Sequence, residues 1–191
     1  MKEKIVIRKK AIFNRKKKYF EIDPQFFNPL IKLIRKQKKK NLNILSLYYP
    51  ANHEINVLKF FTLIKAINIK NISTALPVTR PNSQMDFVKW KYLDPLEVNE
   101  FGMLEPSFQG KTVVPNFILV PLLAFDDKNN RLGYGKGFYD RFLDKFLKIK
   151  KNITTIGVAF SFQKYNKLPV SNLDIKLDYI LTEKGFKKWK F

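Results

Sequence analysis

With 191 residues, 45% of them hydrophobic, the chain is long enough for one sizeable core and requires no second domain. It contains no cysteine, which excludes disulfides, thiolate nucleophiles and zinc–thiolate sites and fits a reducing compartment. The formal net charge of +21 raises the question of a polyanion partner, whereas the charged start of the chain and the lack of a long apolar run argue against signal peptide and membrane span, so a cytoplasmic location is expected.

In chain order, residues 3 to 20 pattern as a basic helix. Asn28-Pro29 caps a second helix running to about Lys38, with proline at its first helical position. Asn43 to Tyr49 reads as a strand, and Glu54 to Asn68 as a helix with Val57, Leu58, Phe61 and Ile64 on one face. Ile72 to Val78 returns as a strand, and this β–α–β order implies parallel pairing. Asp86 to Lys91 alternates as a further strand. Asp94 to Asn116, with several prolines and glycines, is expected to be irregular, and such loops often carry function. Phe117 to Phe125 reads as one buried strand and Asp126 to Asn130 as its turn. Tyr139, Phe142, Leu143, Phe146 and Leu147 then form one apolar helical face. Ile153 to Phe160 and Asp178 to Leu181 complete the strands before a short basic aromatic tail. The pattern predicts an α/β layered single domain over residues 1–191, without repeats, with helices flanking a mostly parallel central sheet.

The most informative stretch is Arg131-Leu-Gly-Tyr-Gly-Lys-Gly-Phe-Tyr-Asp140, where three alternate glycines enclose a lysine and run into the amphipathic helix. Alternating Gly133, Gly135 and Gly137 permit positive φ, so successive N–H groups can turn toward one anion while Lys136 adds a mobile charge. A helix N-terminus follows, whose free N–H groups and dipole favour phosphate. The spacing is neither that of the P-loop nor that of dinucleotide-binding folds. On spacing alone, a glycine-rich turn that only joins strand to helix stays open.

The basic runs Arg15-Lys-Lys-Lys18, Lys38-Lys-Lys40 and Lys187-Lys188 are expected on solvated faces or at helix ends. Lysine, asparagine, isoleucine and phenylalanine all have A/T-rich codons, so mutational bias is the expected source of much of the charge, with a second polyanion-binding role the alternative. No base-reading motif accompanies it. We expect a monomer acting on a small molecule, with neither membrane nor nucleic acid as partner. A basic RNA- or DNA-binding module, and phosphoryl transfer to some other acceptor, remain open on the residues alone. Lone His53 lacks the partners of a metal site or nucleophile triad and is assigned no catalytic role.

Leu119-Val-Pro-Leu-Leu-Ala-Phe-Asp126 followed by Arg131 to Asp140 resembles the signature of the 5-formyltetrahydrofolate cyclo-ligase family, also called 5,10-methenyltetrahydrofolate synthetase. Other pieces fall in the family's order: Lys4-x-x-x-Arg8 in the first helix, Glu54 after a strand, Phe101-Gly-Met-Leu-Glu-Pro106, and Asp174-x-x-x-Asp178. Together they cover nearly the whole chain. The resemblance implies a fold similar to the NagB/RpiA/CoA transferase-like fold. It also implies ATP- and Mg²⁺-dependent closure of 5-formyltetrahydrofolate, free or polyglutamylated, to the 5,10-methenyl product, with ADP and phosphate released through a phosphorylated formyl group.

Carried over residue by residue, the resemblance places Lys4 and Arg8 on ATP phosphates and wraps Arg131, Leu132, Gly133, Tyr134, Gly135, Lys136, Gly137, Phe138 and Tyr139 around the nucleotide. Residues 134–138 also reach the formyl group, and Lys136 and Arg131 are the expected catalytic cations; a solvent-facing loop lysine is the bland alternative for Lys136. Asp140 and Asp174 match magnesium-associated acids, though each could be only a helix-end charge or a turn residue. Glu54 is the expected acceptor for pterin N–H groups, or else a helix N-terminal charge. Tyr49, Met85 and Phe101 are expected apolar walls for the folate rings, with core packing the alternative for the last two. Two departures touch substrate contacts: Phe138 stands where many relatives have tyrosine, and Tyr134 where some have arginine. The segment from Pro50 to His53 also differs from commoner glycine-containing versions.

Overall fold

A computed structural model of the protein describes residues 2–36, 43–68, 72–107, 110–149 and 152–188. Among these described residues four α-helices, α1 (Lys2–Lys18), α2 (Asn28–Lys36), α3 (Lys59–Ala66) and α4 (Phe138–Ile149), surround the strands. These are β1 (Asn43–Ser46), β2 (Ile72–Arg80), β3 (Gln84–Lys89), β4 (Glu97–Val98), β5 (Leu104–Glu105), β6 (Thr112–Val113), β7 (Phe117–Pro121), β8 (Ala124–Phe125), β9 (Arg131–Leu132), β10 (Thr154–Val158), β11 (Tyr179–Thr182) and β12 (Gly185–Lys188). The main sheet has the order β12-β11-β10-β7-β1-β2-β3-β6. Its middle, from β11 to β2, is parallel, and β12, β3 and β6 are antiparallel additions at the two sides.

Period-two alternation explains why β7 lies at the centre. Phe117 and Leu119 join the core beneath α2 and α3, with Phe27, Leu30 and Phe60, while Ile118 and Val120 join the opposite core with Phe87, Phe142 and Leu143 of α4. These four β7 side chains are fully buried, as a strand covered by helices on both faces requires.

Several boundaries differ from the sequence reading for visible reasons. The helix expected from Glu54 begins only at Lys59. One carboxylate oxygen of Glu54 is engaged by Tyr134 and the other by Ala51 N in its own turn, and Asn56 Oδ1 accepts from Leu58 N, a local bond that competes with helix. The strand expected over residues 117–125 breaks after Pro121. The Leu122 and Leu123 carbonyls accept from Gln163 Nε2 instead, and β8 pairs with β9 in a separate hairpin. The irregular stretch 94–116 holds three short strands among its described residues, and the described part of the expected tail forms β12, residues 189–191 lying outside the described residues. Residues 37–42 are outside the described residues, and with them the expected end of the second helix and the Lys38–Lys40 run.

The largest correction concerns Arg15. Lys16, Lys17 and Lys18 are exposed as expected of a solvated run, but Arg15 is 1% exposed. Lys187 lies in β12 rather than at a helix end, with its side chain partly exposed and paired with Asp127. Among the described residues, no helix is long and apolar enough to cross a membrane.

Candidate functional site at the sheet's switch point

Strand order reverses between β1 and β7: β1 leads outward to β2, whereas β7 leads the other way to β10 and β11. In open α/β sheets such a reversal leaves a crevice at the strands' carboxyl ends. The turn carrying Glu54 leaves β1 at this point, and the β8–β9 hairpin with the glycine loop leaves β7. They meet where Tyr134 Oη donates to Glu54 Oε1 at 2.6 Å.

Glu54 is 7% exposed, and its second oxygen accepts from Ala51 N at 2.9 Å across a tight turn through Asn52 and His53, both at positive φ. Burial pushes its carboxyl above the ordinary range, and this outweighs the opposing bonds from Tyr134 and Ala51 N and the charge of Arg15. The Tyr134 phenol is pushed up too, first by burial and then by the charge of Glu54.

Positive φ appears at Gly135 (+102°) and Gly137 (+71°), so the loop uses the left-handed freedom that alternating glycines suggested. Guanidinium groups crowd the two glycines. A Cβ on Gly135 would lie 3.1 Å from Arg8 Cζ, and one on Gly137 would lie 2.9 Å from Arg141 Nη1. Arg8 Nε also donates to the Gly133 carbonyl at 2.9 Å. Arg141 binds the Lys136 carbonyl and, through Nε at 2.8 Å, the Ser83 carbonyl beyond β2. Lys136 is exposed, with Nζ 5.2 Å from the centre of the Phe101 ring, and that ring meets Phe138 edge-on at 5.6 Å. The result is a backbone loop rimmed by three cations, Arg8 from α1, Lys136 from the loop itself and Arg141 from α4.

Two ion pairs close the other side. Arg131 Nη2 lies 2.7 Å from Asp140 Oδ1, which also accepts from Ile175 N at 3.1 Å. Lys4 Nζ lies 2.5 Å from Asp174 Oδ2, which also takes the Ser171 N–H and hydroxyl. Burial raises the Asp174 carboxyl, but the bonds from Lys4 and Ser171 outweigh it and hold the group below the usual range. The described hydrogen bonds of each acid fall on one oxygen. Two anchored carboxylates beside a phosphate-type loop suit a hard cation that draws its other ligands from phosphate and water. Beside the loop, the buried Arg131 Nε and Tyr139 Oη also lack hydrogen-bond partners among the described residues. Such orphaned groups suit a polar guest.

Of the residues expected from sequence, Lys4, Arg8, Arg131, Gly133, Tyr134, Gly135, Lys136, Gly137, Phe138, Tyr139, Asp140 and Asp174 gather around this loop, and Glu54 reaches it through Tyr134. Phe101 comes to it from the segment between β4 and β5, which Glu105 ties to Thr79 of β2. Leu132 is 2% exposed and packs with Ala124 and Leu168, so only its backbone could face a ligand. Met85 is 6% exposed in the core with Phe87 and Phe142. Tyr49 is partly exposed just past β1, five residues before Glu54 in the chain. Sequence reasoning missed Arg15 and Arg141. Arg15 was hidden in a basic run, whereas Arg141 directly follows the signature on the first turn of α4.

Comparison with known proteins agrees with this geometry. The 5-formyltetrahydrofolate cyclo-ligase family model matches residues 4–183. The 5-formyltetrahydrofolate cyclo-ligase of Haemophilus influenzae is 33% identical over 157 residues, covering 79% of this chain and 80% of that protein. That of Mycoplasma genitalium is 32% identical over 154 residues, covering 75% and 90%. The solution structure of Aquifex aeolicus 5,10-methenyltetrahydrofolate synthetase superposes with a TM-score of 0.72 at 29% identity, covering 98% of this chain and 93% of the other. The Mycoplasma pneumoniae 5,10-methenyltetrahydrofolate synthetase gives 0.67 at 27% identity, covering 95% and 99%. With the signature loop at the switch point and the match running almost end to end, the chain belongs to the 5-formyltetrahydrofolate cyclo-ligase family.

Proposed function

We propose that residues 1–191 act as one monomeric domain that converts 5-formyltetrahydrofolate and Mg²⁺-ATP to 5,10-methenyltetrahydrofolate, ADP and phosphate. The observation that carries this reading is the convergence of a cation-rimmed glycine loop with a buried acid, joined by the 2.6 Å bond from Tyr134 to Glu54. One half suits phosphate and the other suits the N–H edge of a pterin.

A formyl amide is a poor electrophile with a poor leaving oxygen. Its oxygen attacks the γ-phosphorus and ADP departs, leaving an iminium phosphate. N10 then attacks the activated carbon, and phosphate leaves as the ring closes, with the N10 proton lost to solvent or phosphate. No protein nucleophile is needed. The protein's task is alignment and charge neutralisation. Lys4, Arg8 and Arg131 hold the phosphates, the Gly133–Gly137 backbone follows the triphosphate, and Lys136 approaches the transferred group. Asp140 and Asp174 would hold Mg²⁺, which neutralises phosphate charge when bound. Glu54 holds the pterin while Phe101, Phe138 and Tyr49 flank the folate rings.

The test is absorbance of the methenyl product from purified protein, 5-formyltetrahydrofolate, ATP and Mg²⁺, with ATP-free and Lys136→Ala controls. Product that requires ATP and is lost in the variant is expected. Folded protein that binds ATP but forms no product would point to another phosphoryl acceptor.

A further inference from the structure

Arg15 differs from every other cation around the site because it is fully buried, at 1% exposure. A buried guanidinium is costly unless its donors are satisfied. Its bonds reach three separate segments. Nε donates to the Asn52 carbonyl at 2.9 Å in the turn after β1, Nη1 to the Leu122 carbonyl at 3.1 Å just past β7, and Nη2 to Tyr134 Oη in the glycine loop. Arg15 therefore clamps α1 to both strands that border the switch point.

Hydrogen-bond direction gives the clamp a consequence. A guanidinium can only donate. Tyr134 Oη must accept from Arg15, which directs its own single proton toward Glu54 Oε1. Glu54 then accepts at both oxygens, from Tyr134 and from Ala51 N. Arg15 also holds the Asn52 carbonyl, two residues before Glu54, so it fixes the turn that carries the acid as well as the phenol that meets it.

We propose that Arg15 is a positioning residue for the folate end of the site: by holding Asn52 and Tyr134 together, it aims the Tyr134 proton at Glu54 and keeps Glu54 an aligned acceptor. The inference rests on Glu54 being the pterin contact proposed above. Electrostatics point the same way. Glu54 is faced by Tyr134 from the loop, Arg15 from α1, Tyr48 from beyond β1 and Tyr139 from α4, the last in turn beside Arg131. Arg15 is the cation acting on Glu54 itself, and it opposes the burial that favours the protonated acid.

The test follows the Glu54 carboxyl by carbon-13 NMR titration in ligand-free protein, together with the pH profile of kcat/KM for methenyl formation. In Arg15→Met, Glu54 should protonate about one pH unit higher, as expected when a neighbouring cation is removed. The acid limb of kcat/KM should move with it, and KM for the formyl-folate should rise by about tenfold while kcat at high pH stays within about threefold. Tyr134→Phe, which removes one oxygen, should move both curves the same way. Adding Arg15→Met to Tyr134→Phe should then cost less than it does alone, because the relay is already cut. An unmoved Glu54 titration in the folded variants, or fully additive effects, overturns the proposal; if Arg15→Met does not fold, Tyr134→Phe decides alone. Should Glu54 move while no form makes methenyl product, the proposed reaction fails but control of Glu54 by Arg15 stands.

Discussion

Replacing Gly135 by alanine separates a built phosphate cradle from a merely flexible turn. Gly135 sits at φ +102°, and a Cβ there would stand 3.1 Å from Arg8 Cζ. Holding an L residue in that conformation costs about 1–3 kcal/mol. Relief by displacing Arg8 would weaken its 2.9 Å bond to the Gly133 carbonyl, worth about 1 kcal/mol. The same displacement carries a cation proposed to hold phosphate out of line, and misplacement of about 1 Å can cost about a hundredfold in rate. Gly133 is the internal control. It has no positive φ, and its Cβ would meet only the end of Arg131, at 3.2 Å. We predict that Gly135→Ala lowers kcat/KM for ATP by about 10- to 100-fold with a modest drop in melting temperature, and that Gly133→Ala has a much smaller effect. The assay is the initial rate of methenyl formation against ATP, with thermal melting of the ligand-free protein. Gly133→Ala as damaging as Gly135→Ala, or wild-type ATP dependence in Gly135→Ala, would refute the reasoning.

Other expectations are equally specific. Asp140→Asn keeps an acceptor for Arg131 and Ile175 N but removes a charge, so it should raise the Mg²⁺ concentration for half-maximal turnover several-fold without loss of fold; unchanged Mg²⁺ dependence would remove Asp140 from the metal site. Gly157→Ala places a Cβ 2.7 Å from both Ile180 Cδ1 and Leu122 Cδ2, and should cost about 1–3 kcal/mol in urea unfolding with the ATP dependence of the remaining folded enzyme intact. The folded Asp174 carboxyl is held below its unfolded value. Its pair with Lys4 therefore stabilises the fold fully above the ordinary carboxylate range and is lost as pH falls through the lower folded value. Wild type should thus melt above Lys4→Gln near neutrality and converge with it in strong acid. A difference that persists in strong acid would assign the effect to something other than the ion pair.

The signature residues pointed to the candidate site because the chemistry proposed for it is concentrated in one segment. Three alternating glycines beside a lysine impose a backbone shape whatever surrounds them, and two of those glycines do adopt positive φ. The sheet order was legible only as β–α–β logic; the switch between β1 and β7 depends on contacts that no local pattern carries. Glu54 was identified by resemblance, but its helix was begun too early, since periodicity cannot register that its carboxylate is committed elsewhere. Arg15 is the clearest failure. Its neighbours Lys16 to Lys18 are solvated as a charge run predicts, and only the tertiary meeting of Asn52, Leu122 and Tyr134 explains why that one cation is buried. Met85, given as a folate wall by resemblance with core packing as the alternative, lies in the core beside Phe87.

Oxygen-18 transfer tests the central claim most directly. With 5-formyltetrahydrofolate labelled in the formyl oxygen, unlabelled ATP and Mg²⁺, methenyl product should form, and each phosphate released should carry one heavy oxygen as detected by mass spectrometry. Unlabelled phosphate accompanying product would contradict phosphorylation of the formyl oxygen, and absence of product from the folded, ATP-binding protein would contradict the proposed reaction itself.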